Sequence, residues 1–79
     1  MEKIHVLLVE DELTLAMIIK DTLEEQEFII TTASDGEEGL RTFFAQKPDI
    51  VVADVMMPRM DGFEMVRRIR QTDKLTPVL

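Results

Sequence analysis

Three short runs of branched apolar residues, each followed by a segment with helical spacing, constrain this chain more than any other feature. Ile4-His5-Val6-Leu7-Leu8-Val9 is a continuous run without polar alternation, which suits a strand buried on both faces. It stops at Glu10-Asp11-Glu12, and from Leu13 to Gln26 the spacing is helical, with Leu13, Met17 and positions 15, 16, 19 and 23 forming an apolar stripe. Phe28 to Ala33 reads as a second strand. Asp35-Gly36-Glu37-Glu38 has the pattern of a helix start, with Asp35 as N-cap and Glu38 reaching back from three residues on. Leu40, Phe43 and Phe44 follow on one face, and Lys47-Pro48 ends that helix. Ile50-Val51-Val52-Ala53-Asp54 is a third strand ending in a carboxylate, and residues 55–62 form a loop. Phe63, Val66 and Ile69 mark a third helix with Arg67, Arg68 and Arg70 facing outward, and Pro77-Val78-Leu79 begins a fourth strand. Strands alternating with helices over short connections define an α/β fold with a parallel sheet and right-handed crossovers. In such sheets the working site lies beyond the carboxyl ends of the strands.

Composition removes several function classes. The 79 residues contain no cysteine and one histidine, which excludes disulfides, thiolate metal sites and cysteine nucleophiles. Sixteen acids against nine bases give a net charge of −7, which disfavours direct nucleic-acid binding by charge. Residues 1–27 are strongly acidic and residues 55–79 mildly basic, a balance that suits a solvated helix face better than a nucleic-acid groove. No apolar run approaches the ~20 residues that span a bilayer, and no secretory signal precedes the first strand. A cytoplasmic chain is the expectation.

The chemistry lies in the acids. Glu10 and Asp11 follow the first strand and Asp54 closes the third. If those strands are neighbours, their ends lie about 5 Å apart. Two unit charges at 4 Å repel by ~4 kcal/mol at an effective dielectric of 20, so the cluster needs a cation, a raised pKa or a basic neighbour. Oxygen ligands alone, with room left for water and phosphate, favour Mg²⁺. The alternative is that Glu10, Asp11 and Glu12 are a solvated turn acting on the first helix through its dipole. Asp54 also has the chemistry of a nucleophile that takes a phosphoryl group as an acyl phosphate. A flavin or phosphate loop after the first strand is disfavoured by the charge of Glu-Asp-Glu, and the paired acids of Asp-x-Asp phosphatases are missing, since 54–56 reads Asp-Val-Met.

The motifs Val-Glu-Asp-Glu at 9–12, Asp-Gly-Glu-Glu-Gly-Leu at 35–40, Pro-Asp-Ile-Val-Val-Ala-Asp-Val-Met-Met-Pro at 48–58, Met-Asp-Gly-Phe-Glu at 60–64 and Thr-Pro-Val-Leu at 76–79 together resemble the receiver domain of two-component response regulators. The resemblance covers the whole chain, 1–79, as the N-terminal part of one such domain. It implies a flavodoxin-like three-layer α/β/α fold with strand order 2-1-3-4, lacking the last strand and last two helices, roughly 40 residues at mean element lengths. It further implies that Asp54 accepts a phosphoryl group from a sensor histidine kinase in a phosphorelay. Mg²⁺ would be held by Asp11, by Asp54, by the Met56 carbonyl and through water by Glu10. Pro58 and Gly62 would shape the loop. The family's hydroxyl residue on the fourth strand and its lysine on the fifth are not matched by Thr76 or Lys74. The implied role is signalling rather than enzymatic, with a transcriptional output by analogy only. The alternative is a non-phosphorylated or self-associating piece of the same fold, and self-association through exposed apolar surface is expected of the chain on its own.

His5 is read as a strand residue, the loop and helix methionines as gap fillers, and Phe43 and Phe44 as core and near-core.

Overall fold

A computed structural model describes residues 3–57 and 59–79. The elements run β1 (His5–Val9), α1 (Leu13–Glu25), β2 (Ile29–Ala33), α2 (Gly36–Gln46), β3 (Ile50–Ala53) and α3 (Gly62–Arg70). The strands form a parallel sheet of order β2-β1-β3. Val78 makes a parallel bridge to Val51 beyond β3, so the spatial order is the expected 2-1-3-4 with the fourth strand reduced to one bridge.

The sheet separates two apolar layers because successive side chains of a strand point to opposite faces. Leu7 and Val9 of β1 join Val51, Phe43, Met65 and Ile69 under α2 and α3. Val6 and Leu8 join Ile30 and Ala16 under α1. β1 is buried from Val6 to Val9, as a central strand between two helical layers must be.

Three expectations about side chains need correction, at Phe63, along α1 and at Met56. Phe63 is 72% exposed, and α3 buries Gly62, Met65 and Ile69 instead. Steps of three residues drift around a helix, so Phe63 and Ile69 lie about 120° apart, whereas Gly62, Met65 and Ile69 share one face. On α1 only Ala16, Ile19 and Leu23 pack on the sheet, while Leu13, Leu15, Met17 and Ile18 are exposed. Leu15 and Met17 sit about 100° to either side of Ala16, beyond the arc that touches the strands. Phe44 is half-exposed at the edge of α2, its ring meeting Phe43 edge-on at 5.3 Å. Met60 and Met65 fill the core as expected, but Met56 is 79% exposed.

Candidate functional site at the carboxyl edge of the sheet

Val9 is in register with both Ala33 and Ala53, so the three strands end level with one another. The residues just past those ends continue the alignment. Glu10 N–H donates to the Ala33 carbonyl at 2.9 Å and Asp54 N–H to the Val9 carbonyl at 3.1 Å. Glu10, Asp11 and Asp54 thereby bring one carboxylate oxygen each within 4.8 Å of one another. Glu10 is buried, Asp54 half-buried and Asp11 exposed, which gives the cluster one open side.

Burial pushes the Glu10 carboxyl above its ordinary value, and the nearby Asp11 and Asp54 carboxylates push it further in the same direction. The Glu12 N–H, which donates to Glu10 Oε2 at 3.2 Å, opposes that rise. Among the described residues no lysine or arginine pairs with any of the three acids. Nor do these acids cap α1: Glu12 is the N-cap residue, and it makes no side-chain cap bond. Within the acidic turn it is Glu10 and Asp11 that meet Asp54 at the end of β3.

The loop after β3 turns tightly at Asp54. Met56 N–H donates to Asp54 Oδ1 at 3.3 Å, and Gly62 N–H donates to the Val55 carbonyl at 3.0 Å. Gly62 has to be glycine because a Cβ there would overlap the Asp54 carbonyl. Asp61 then caps α3 by accepting from Glu64 N–H at 2.9 Å. Pro58, assigned a loop-shaping role from the sequence, lies outside the described residues. Thr76 and Lys74 take no part in the site. Thr76 Oγ1 donates to Asp73 Oδ2 at 2.7 Å and Lys74 Nζ to the Arg70 carbonyl at 2.8 Å, both in the turn after α3. His5 is far from the acids in register, at the other end of β1, where its Nε2 lies 2.8 Å from Thr31 Oγ1.

One residue of this edge was not anticipated from the sequence. Arg59 extends from the loop to Asp35, the buried N-cap of α2, with its Nε donating at 3.0 Å and its Nη2 donating to the same oxygen. Asp35 also accepts from Glu38 N–H at 2.9 Å. The expected capping box is displaced by one residue, since Glu38 accepts from Ser34 N–H. The Glu38 N–H and the Arg59 guanidinium hold the Asp35 carboxyl below the usual carboxylate range.

With this geometry in place, comparison with known proteins gives a consistent result. The sequence profile of the response regulator receiver domain matches residues 6–79, and the chain belongs to that family. It is 44% identical over 73 residues to the transcriptional regulatory protein AfsQ1 of Streptomyces coelicolor, covering 92% of this chain and 32% of that protein. It is 39% identical over 74 residues to PhoP of Bacillus subtilis, an alkaline phosphatase synthesis transcriptional regulatory protein, covering 94% and 31%. The chain thus spans about a third of the length of these relatives. Among solved structures, the chemotaxis protein CheY4 of Vibrio cholerae superposes with a TM-score of 0.92 at 33% identity, covering 98% of this chain and 66% of that one. The response regulator TrrA of Thermotoga maritima, solved in complex with Mg²⁺-BeF, gives 0.91 at 35% identity, covering 95% and 65%. The fold is the flavodoxin-like receiver fold of two-component signalling.

Proposed function

We propose that residues 1–79 act as a phosphoacceptor receiver unit in which Asp54 takes a phosphoryl group from a sensor histidine kinase, with Mg²⁺ held at Glu10, Asp11 and Asp54. The observation that carries this reading is the convergence of those three carboxylates within 4.8 Å at the strand ends, with no cationic partner among the described residues. An all-oxygen donor set with one open side fits a hard divalent cation that keeps part of its water shell. Asp11 and Asp54 would offer oxygens to the ion directly, buried Glu10 would act through water, and the Met56 carbonyl would be a further donor by family resemblance. When bound, Mg²⁺ offsets the negative charge of the carboxylates and of the incoming phosphoryl oxygens.

In the transfer, a carboxylate oxygen of Asp54 attacks phosphorus. The new O–P bond forms as the N–P bond of the phosphohistidine breaks, and that electron pair stays on the imidazole nitrogen, which takes up a proton. Asp54 is suited to this step because its backbone is pinned to β1 through the Val9 carbonyl. On this reading the unit works in the cytoplasm, and its likeness to transcriptional regulatory proteins suggests a transcriptional output elsewhere in the whole protein. On this reading the unit is a signalling module rather than an enzyme acting on a metabolite, and it makes no direct contact with nucleic acid or membrane. No helix among the described residues is long and apolar enough to cross a bilayer.

The test is the intact mass before and after incubation with Mg²⁺ and a small phosphoryl donor. A gain of one phosphoryl group, absent in Asp54→Asn, supports the assignment; an equal gain in both places the chemistry elsewhere.

A second reading, self-association with another copy of this chain, is favoured by the exposed Leu13, Met17 and Ile18 on α1. Sedimentation showing a monomer at all accessible concentrations would remove it.

A further inference from the structure

The loop that follows Asp54 is fastened at its far end to a different layer of the molecule, and the fastening is made by residues outside the acidic cluster. Two contacts converge there. The Arg59 guanidinium donates through both Nε and Nη2 to Asp35, whose side chain is 3% exposed. The next residue, Met60, is 6% exposed and lays its carbonyl so close to Gly36 that a Cβ on that glycine would overlap it. Residues 59 and 60 therefore sit on the first turn of α2. Arg59 also adopts a left-handed backbone, φ 64°, a conformation that few residues other than glycine and asparagine enter readily. Something must compensate for that conformation. The bonds to Asp35 do so, because an Asp buried at a helix start loses its guanidinium partner if the loop lifts.

We infer that Arg59 is a positioning residue, latching the loop to α2 through Asp35 so that the segment 54–57 keeps its tight turn over the phosphoacceptor edge. The loop is a closed circuit. It leaves the sheet at Asp54, is pinned by the Gly62 N–H to the Val55 carbonyl at 3.0 Å, and between those points Arg59 is held by Asp35. Opening the latch frees the loop to swing about Asp54 and Gly62, and the Met56 N–H that bonds Asp54 Oδ1 moves with it. The inference about loop order stands on geometry alone. Its consequence for phosphotransfer rests on the reading of Asp54 as phosphoacceptor.

The variants can be chosen to separate the latch from other roles of the same residues. Arg59→Asn removes the guanidinium but tolerates the left-handed backbone. Asp35→Asn keeps an N-cap acceptor for Glu38 N–H but removes the charge. Amide hydrogen exchange at Gly62, measured on the protein well below its melting temperature, reads loop opening directly. The latch requires exchange to rise roughly three- to tenfold in Arg59→Asn and in Asp35→Asn, with the double variant no faster than the singles. Arg59→Lys, which keeps the charge and loses the two-pronged contact, should fall between. At saturating Mg²⁺ the phosphorylation rate with a small donor should drop in the same order. Gly62 exchange equal to the parent in Arg59→Asn, or effects of the two single changes that simply multiply in the double variant, would overturn the latch. Raised exchange with no phosphorylation even in the parent would leave the latch standing and overturn the phosphoacceptor reading instead.

Discussion

Two buried carboxylates stand at the same edge of the sheet and are treated in opposite ways. Glu10 follows β1 and is 9% exposed; Asp35 follows β2 and is 2% exposed. Asp35 receives a helix N–H and a guanidinium, and its carboxyl is held below its ordinary value. Glu10 receives one backbone N–H and faces two more acids, and its carboxyl is raised. Burial raises both carboxyls; at Glu10 it prevails, whereas at Asp35 the Glu38 N–H and the Arg59 guanidinium outweigh it. Asp35 is complete within the protein and acts structurally. Glu10 belongs to a cluster whose charge is uncompensated by the described residues, and it is there that an added cation has something to do.

The largest break in that comparison is Asp35→Ala. Loss of the cap to Glu38 and of the Arg59 contact should lower the melting midpoint by roughly 5 to 10 °C. Glu10→Gln should act in the opposite direction when Mg²⁺ is absent, raising the midpoint by a few degrees, because it removes a buried charge that repels Asp11 and Asp54. In the parent, Mg²⁺ at a hundred times its dissociation constant should add about 2.7 kcal/mol of stability, and most of that gain should vanish in Glu10→Gln. Thermal melts with and without Mg²⁺ check both statements.

Acid titration gives the same contrast with signs that differ. Folded Glu10 holds its proton more tightly than the unfolded chain does. Its ionisation therefore costs stability above its raised folded pKa, and that cost fades as the pH falls toward the ordinary 4.5. Folded Asp35 holds its proton less tightly. Its contribution is complete above the ordinary 3.8 and is lost as the pH falls through its lowered value. In metal-free melts, the difference between parent and Glu10→Gln should close first on acidification, and that between parent and Asp35→Asn only below about pH 4. The smallest effect is expected at Glu64, which Arg67 and Arg68 hold at about 2 on an exposed face. Glu64→Gln should leave the midpoint within about 2 °C, since solvent screens such pairs.

The sheet, its parallel sense and the alignment of Glu10, Asp11 and Asp54 were legible in the residue pattern, because a run such as Ile50 to Ala53 has few places to go except between two helices. Side-chain orientation was less legible. Phe63 was misread because spacing by threes imitates a helical face over two turns only. The exposed Leu15 and Met17 were misread because hydropathy records apolarity and not the arc a sheet can cover. The latch was invisible for a different reason. Arg59 carries no turn signature: it is left-handed without being glycine, its partner lies 24 residues earlier, and Asp35 was already explained by capping alone. Glu27 and Lys47 enter the same left-handed region without glycine, so residue type alone does not locate the turns of this chain.

The central claim is that the acidic edge holds a divalent cation through named carboxylates. A calorimetric Mg²⁺ titration of the parent, Asp11→Asn and Glu64→Gln tests it most directly. One site is expected in the parent, with affinity at least roughly tenfold weaker in Asp11→Asn and no change in Glu64→Gln. Equal affinity in the parent and Asp11→Asn would contradict it.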